Sequence, residues 1–498
     1  MIFANLHGDR TCREIRLTLK STVFCMKRLN LAILMLLVVL GVAFTGCIED
    51  DFTTSSSDLP EFSTDTLAFD TVLTDVGTAT RQFVVYNRHK KMLNISSIKI
   101  AGNSRGRFYL NVDGVTGEGF HDVEIRGNDS IFVFVEAFID PSDDNNPILL
   151  EDKLEFVTNG VAQQVVITAW GQNVERLYSP LVAEDTHFTA DRPYVIFDTL
   201  RVAEGATLTL DAGTRLYFHN KAAMVVDGRL LANGTTELPI DLRGDRIDKV
   251  VGDIGFDIMS GQWDGVRFTA SSYGNEWQHV YMRGSKTGVV ADSASTEQRK
   301  LLLLNSVLHN SAGSVLTASH VWIDALGCEL SDAHNAVASL TGGRYSFVNC
   351  TLANYYLFSF INEPILSLYY LLPDHSDGTT PLMTANFDNC IFYGLASGIN
   401  EGDLTSSAVQ LRNCLLQSAG EDDDNFIACV WEGDPKFYVI RDEYVFDYRL
   451  KNESDAIGKG NPALCPTEIA ADRYGVTRLH PDGTIDIGAY TWVEAVEE

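Results

Sequence analysis

Residues able to do acid, base or ligand chemistry in this chain fall in three places. Asp388 and Arg412 each stand one residue before an asparagine, in Asp388-Asn389-Cys390 and Arg412-Asn413-Cys414. On neighbouring coils of a solenoid they meet as an ion pair, and such an exposed pair stabilises by under about 1 kcal/mol. The second group is Tyr355, Tyr356, Tyr369 and Tyr370, followed by Asp374, His375 and Asp377. Tyrosine rings stack on sugar faces, so these four are the candidate ligand-binding residues; the competing reading folds them down as a small core. The third is Asp422-Asp423-Asp424. It is a run rather than a spaced pair, and inverting glycoside hydrolysis needs two carboxyls ~6.5–9.5 Å apart. It reads as a solvated loop, and Ca²⁺ is the cation such oxygen-rich turns take. No CxxC or Cys/His metal spacing occurs, so no metal site is expected and no residue is assigned a catalytic role.

The elements that position these residues are legible in a returning phrase. It reads Leu304-Asn305-Ser306, Leu326-Gly327-Cys328, Val348-Asn349-Cys350, Asp388-Asn389-Cys390 and Arg412-Asn413-Cys414. The steps are 22, 22, 40 and 24 residues. With one insertion near 355–384 of roughly 18 residues, the period is that of a solenoid. Asn tolerates the left-handed conformation of a tight corner, and its amide reaches backbone or the next Asn. Asn305, Asn349, Asn389 and Asn413 are therefore expected to form a ladder. Cys328, Cys350, Cys390 and Cys414 stack beside it as small buried hydrophobes. Very short strands divided by glycines precede the ladder: Leu208-Thr209-Leu210, Leu216-Tyr217-Phe218, Met224-Val225-Val226, Leu230-Leu231-Ala232 and Ile240-Asp241-Leu242. Strands this short are stable only when stacked on their neighbours.

Residues 60–172 read differently, as seven longer alternating stretches: Thr66 to Leu73, Gln82 to Tyr86, Ile95 to Ile100, Arg107 to Val112, Ser130 to Ile139, Leu149 to Val157 and Val161 to Ala169. Turns at Asp113-Gly114, Gly127-Asn128 and Asn159-Gly160 separate some of them, and the count suggests a β-sandwich. The Phe83-Val84-Val85-Tyr86-Asn87 strand, the Gly127-Asn128-Asp129-Ser130 turn and the closing Gly171-Gln172 resemble immunoglobulin-like domains of the abnormal-spindle and hydin type. That resemblance implies a spacer. Glu204-Gly205-Ala206-Thr207-Leu208, Val226-Asp227-Gly228-Arg229-Leu230 and Trp263-Asp264-Gly265-Val266-Arg267-Phe268 resemble coils of right-handed parallel β-helix proteins of the pectate-lyase-like kind. Ser454-Asp455-Ala456-Ile457-Gly458 and Asp486-Ile487-Gly488-Ala489-Tyr490 are similar to the C-terminal end of such proteins in Bacteroidetes. The expected fold is all-β: an immunoglobulin-like sandwich at 60–172, then a right-handed parallel β-helix at 173–492.

Met26-Lys27-Arg28 and the apolar stretch Leu31 to Phe44 read as a signal peptide, with Met26 the expected start and the residues before it an upstream extension. The stretch ends in Ala43-Phe44-Thr45-Gly46-Cys47, which resembles a bacterial lipobox with Phe44 in place of the usual Leu or Val. The resemblance implies removal of 1–46 and lipidation of Cys47. Ile48-Glu49-Asp50-Asp51 resembles a Bacteroidetes surface-export signal, and residues 47–59 read as a lipidated flexible tether. Acyl chains anchor without spanning, so the expected location is the outer membrane, facing outward.

The 498 residues carry 38 basic and 67 acidic side chains, a net charge of −29, which argues against a nucleic-acid partner. Glycoside hydrolases of the β-helix fold carry paired Asp with a Gly-His-Gly, and that tripeptide is absent. Lyases of the fold use an Arg or Lys base with Asp-bound Ca²⁺. The sequence thus favours a non-catalytic adhesion β-helix that binds a polysaccharide or protein. A polysaccharide lyase or glycoside hydrolase is the alternative, and a purely structural envelope protein a third.

Overall fold

The computed structural model describes residues 51–495 apart from 75–79, 103–106, 142–146, 252–253, 362, 370–382, 396–397 and 401–407. Cys47, Tyr370, Asp374, His375 and Asp377 lie outside the described residues.

All seven long stretches of the N-terminal region are strands, the two longest being Ile148–Thr158 and Val161–Gln172. They belong to two sheets of five and six strands. Pairing is antiparallel except where Thr66–Leu73 runs parallel to Val161–Gln172. Side chains alternate across each strand, so one face of each sheet is apolar. Phe83, Val85, Phe108 and Val133 of the first sheet share one core with Ile95, Leu154, Phe156 and Ile167 of the second. Short strands at Val115–Gly117, Gly119–Phe120 and Val123–Ile125 complete the sheets.

From Glu175 on, the chain winds as a parallel β-helix. Successive strands enter three parallel sheets of eleven, nine and ten strands in turn. Register follows the coil period, so like residues stack. In the eleven-stranded sheet Leu216, Leu242, Met282, Leu308, Leu330, Leu352, Phe392 and Leu416 form one inward column. Each is buried. No rung has a core of its own; the column is the core.

The phrase that marked the period turns the corner from the ten-stranded to the eleven-stranded sheet. Asn305, Gly327, Asn349, Asn389 and Asn413 there have φ of 43°, 67°, 49°, 52° and 52°. Asn bears this left-handed geometry at lower cost than other side chains. Cys328, Cys350, Cys390 and Cys414 point inward with no exposed surface and are free thiols. The asparagines do more than satisfy one another. Asn389 Nδ2 donates to Asn349 Oδ1 at 3.3 Å, but Asn349 also donates to the carbonyl of Asp486 at 3.1 Å, and Asn305 to that of Ala471 at 3.2 Å. Asn389 both donates to the carbonyl of Asn461 and accepts from its amide, at 3.1 and 2.7 Å. These amides therefore pin the C-terminal segment along the corner.

Two details differ from the sequence reading. Residues 355–384 are not one insertion, because Leu366–Tyr369 is a regular rung of the nine-stranded sheet, paired with Ala338–Thr341 and Ile399–Asn400. The extra residues lie on either side of that rung. Asp388 and Arg412 do pair, but as a half-buried fork rather than an exposed contact. Nε and Nη2 reach the two carboxylate oxygens at 2.6 and 2.7 Å, and Asp388 is 5% exposed. Bidentate, partly desolvated geometry strengthens the pair. Asp388→Ala is expected to cost about 1–2 kcal/mol in urea unfolding. A change below about 0.3 kcal/mol would return the pair to the surface class.

Candidate functional site

The strands Val280–Arg283, Val307–Ser311 and Glu329–Ala333 are consecutive rungs of the eleven-stranded sheet. Their inward residues are Met282, Leu308 and Leu330, so alternation turns the flanking residues outward. Tyr281, Val307 and Glu329 stack in one outer column, and Arg283, His309 and Ser331 in the next. Two segments rise beside this patch. One holds Asp257 and Ile258, and the other is the C-terminal part, contributing Tyr444 to Tyr448, Arg473, Tyr474 and Tyr490. Together they line an open cleft of about 390 Å³.

The floor of the cleft is a network of buried charges. The Arg283 guanidinium is held by Asp241 and by Asp257, whose Oδ2 lies 3.1 Å from Nε, and it covers the Tyr281 ring at 4.4 Å. Burial alone would lower the Arg283 pKa; Asp241, Tyr281 and Asp257 outweigh it and hold the cation. Glu329 is 7% exposed and accepts from Ser331 Oγ at 2.6 Å and from the Tyr490 hydroxyl. Burial raises its pKa against the opposing pull of His309, these two hydroxyls and Arg473.

His309 Nδ1 lies 2.9 Å from Ser331 Oγ and 3.1 Å from Asp332 Oδ2. Asp332 is 1% exposed and sits at a φ of 61°. The Tyr448 hydroxyl and the Tyr355 amide both donate to it at 2.7 Å, which fixes the carboxylate. Burial pulls the His309 pKa down, but the hydrogen bond and charge of Asp332 outweigh that and raise it. Arg473 has no carboxylate within salt-bridge distance among the described residues. Its guanidinium stands 5.6 Å from the Tyr281 ring centre and 5.4 Å from that of Tyr474. Burial would lower its pKa, and the neighbouring Tyr490, Tyr474 and Glu329 keep it charged. Tyr444 and Tyr474 are 45% and 53% exposed and form the rim. Among the described residues the arrangement offers a cation without a carboxylate partner, an oriented imidazole and a tyrosine-rich wall.

The three candidate tyrosines among the described residues do not assemble into a patch. Tyr355 and Tyr356 are 7% and 5% exposed. Tyr355 packs in the core that joins the helix to the C-terminal segment, and the Tyr356 hydroxyl meets Ser260 Oγ at 2.6 Å. Tyr355 seals the edge of the solenoid, while Tyr356 lines a separate open pocket with Phe358, Phe360 and Arg441. Tyr369 is 42% exposed, on the nine-stranded sheet. The Asp422-Asp423-Asp424 run is structural in its first two members. Asp422 accepts from the amides of Ala428 and Cys429 and from Trp431 Nε1, and Asp423 from the amides of Asn425 and Phe426. Among the described residues no three His, Cys, Asp or Glu side chains gather as a metal-holding group. The ladder cysteines also meet backbone carbonyls, as Cys350 Sγ does that of Ala325 at 3.2 Å, and are fully buried, whereas a reactive thiolate needs access.

Sequence reading missed the cleft. Its one visible signal was polar residues at outward positions of successive rungs, Arg283, His309 and Ser331, at steps of 26 and 22 residues.

No protein-family model matches the chain, and no curated protein matches it. Among solved structures, the chain is similar over 23% of its length to a family 123 glycoside hydrolase from Clostridium perfringens, studied for glycolipid glycan hydrolysis, at 8% identity and a TM-score of 0.17. It is similar over 23% of its length to the periplasmic chaperone SfaE, at 15% identity and a TM-score of 0.17. The chain spans 26% of the first and 57% of the second, so these likenesses are local ones.

Proposed function

We propose that this chain is a surface lipoprotein of the outer membrane whose right-handed β-helix binds an acidic glycan in the cleft around Glu329. Cys47 carries the lipid, and the immunoglobulin-like sandwich is the spacer that holds the helix off the membrane; of the 47–59 tether, residues 51–59 pack on the sandwich, where the Thr53 amide donates to the Met92 carbonyl at 3.0 Å and Asn159 Nδ2 to those of Ser55 and Asp58 at 3.0 and 2.8 Å. The support for the anchor is the Lys27-Arg28, Leu31 to Phe44 and Gly46-Cys47 pattern. The observation that carries the ligand is Arg473, a half-buried cation with no carboxylate partner among the described residues, walled by tyrosines in a cleft. A guanidinium favours carboxylate or sulfate groups through paired, charge-assisted donors. Tyrosine rings and hydroxyls serve the sugar faces and hydroxyls. The local cation also stands out against a chain of net charge −29.

A glycan-array screen of the protein followed by titration of the hits tests this. Acidic oligosaccharides are expected to bind, and Arg473→Ala to weaken them by roughly 10–100-fold, the value of a charge-assisted hydrogen bond. Tyr474→Ala should weaken them less, and Tyr369→Ala should change nothing. Preference for neutral glycans, or loss of binding in Tyr369→Ala, would move the site away from the cleft.

A further inference from the structure

We infer that the pocket around Arg441 is a second binding site, for a small amphiphilic carboxylate: one acid group carried on an apolar aliphatic body. The pocket is open, has a volume of about 540 Å³, and is lined by Tyr356, Leu357, Phe358, Phe360, Leu395 and Arg441 among others. It shares no lining residue with the cleft around Glu329. Its volume is that of a small-molecule site, which is typically apolar with a few placed polar groups. The apolar wall comes from one connection. The rung Thr351–Asn354 ends, and the chain runs out through Tyr355 to Ile361 before it returns to the rung Leu366–Tyr369. Phe358, Phe360 and Leu395 are 41%, 90% and 58% exposed. Single exposed apolar residues need no explanation, but three around one hollow mark a binding surface. The Tyr356 and Phe358 rings meet edge to face at 5.7 Å and 77°, which shapes one side of it.

Arg441 supplies the charge. Its Nη2 donates to the Tyr356 carbonyl at 3.0 Å, which holds the guanidinium at the pocket. Its Nε is buried without a hydrogen-bond partner, and among the described residues no carboxylate lies within salt-bridge distance of it. Asp442 and Glu443 follow directly in the chain, but both are exposed and neither pairs with it. Nearby, His334 is tied to Ser359 Oγ, and Glu363 accepts from the Ala336 amide at 3.2 Å. A half-buried guanidinium with unspent donors has lost hydration without regaining hydrogen bonds. A carboxylate restores them through paired, charge-assisted contacts. The backbone agrees. Arg441, Glu443 and Tyr444 hold φ of 65°, 51° and 61°, a conformation costly for L side chains, and such strain gathers at ligand clamps.

The wall selects which acid enters. A sugar acid would press its hydroxyls against Phe358, Phe360 and Leu395, where they find no partner. An aliphatic chain loses nothing there and gains by leaving water. The two sites therefore take different acids.

Calorimetric titration of the protein with acetate, hexanoate, octanoate and decanoate, each below its micellar concentration, tests this beside octanol and octyltrimethylammonium. One decanoate per protein is expected, with affinity rising about two- to fourfold per methylene, the value of a partly to wholly buried CH₂. Octanol should bind at least about tenfold more weakly than octanoate, the weight of one charge-assisted contact, and the ammonium not measurably. Arg441→Asn keeps a side chain that tolerates positive φ, and should weaken octanoate roughly 10–100-fold, with Arg441→Lys weakened less. Phe360→Ser alters a side chain that is 90% exposed, so the fold is kept, and should weaken octanoate about fivefold. Equal affinity for octanol and octanoate overturns the proposal, as does undiminished octanoate binding in Arg441→Asn or no octanoate binding at all. Adhesion to phosphatidylcholine vesicles doped with decanoate, without uptake of the free acid, would set the apolar patch against a membrane and also overturns it. The glycan titration of the Arg473 cleft uses other ligands and other variants, so either site can fail alone.

Discussion

Replacing Asn349 with alanine is expected to lower the unfolding free energy by about 3 kcal/mol, more than any exposed substitution on the helix. Two effects add. Asn349 holds a φ of 49° with no exposed surface, and a residue without a local polar side chain pays roughly 1–2 kcal/mol there. Its amide also donates to the carbonyls of Asp486 and Gly488, at 3.1 and 3.4 Å, and accepts from Asn389. Gly488 keeps a second donor in Arg478, whereas Asp486 is left with a buried, unpaired carbonyl at a cost of about 1–3 kcal/mol. Asn349→Gly separates the two effects, since glycine accepts the positive φ without strain. Its loss should be about half as large. Urea unfolding of the three proteins measures this, and equal stability of wild type and Asn349→Ala would refute the docking role. Because the docked segment carries Arg473, Tyr474 and Tyr490, the same variant should also weaken glycan binding.

Trp263→Ala is expected to cost about 3–5 kcal/mol, the range for removing a large buried aromatic. Trp263 is fully buried, stacked on Phe218 at 4.2 Å and 8°, and its Nε1 donates to the Arg283 carbonyl at 3.0 Å. The substitution opens a cavity between rungs that have no other core, so the loss spreads to neighbouring coils. Trp263→Phe keeps most of the packing and forfeits only the hydrogen bond, about 1 kcal/mol. A loss under 1 kcal/mol for the alanine variant would mean that the rungs can collapse onto the gap.

Local patterning accounts for what the sequence revealed. Short strands, glycine punctuation and the 22-residue step are properties of each coil and its neighbour, so rungs such as Ile240–Gly244 could be read directly. The corner asparagines were legible for the same reason, because their φ is set where they stand. The cleft was not, because it joins His309 and Glu329 to Tyr448, Arg473 and Tyr490 far along the chain. Nothing in residues 437–492 announces that they fold back over the eleven-stranded sheet. Tyr355 was indistinct in the sequence because aromatic composition does not separate a ring that seals a core from one, such as Tyr356, that lines a pocket. The Leu366–Tyr369 rung was hidden inside the long step because the residues on each side of it break the period.

The most direct measurement is a crystal structure of the protein with the acidic oligosaccharide that binds it most tightly. The sugar is predicted to lie between Asp257 and Tyr474, with its acidic group on the Arg473 guanidinium. A sugar seated instead beside Tyr369, or against the N-terminal sandwich, with the Arg473 cleft empty, would contradict the account.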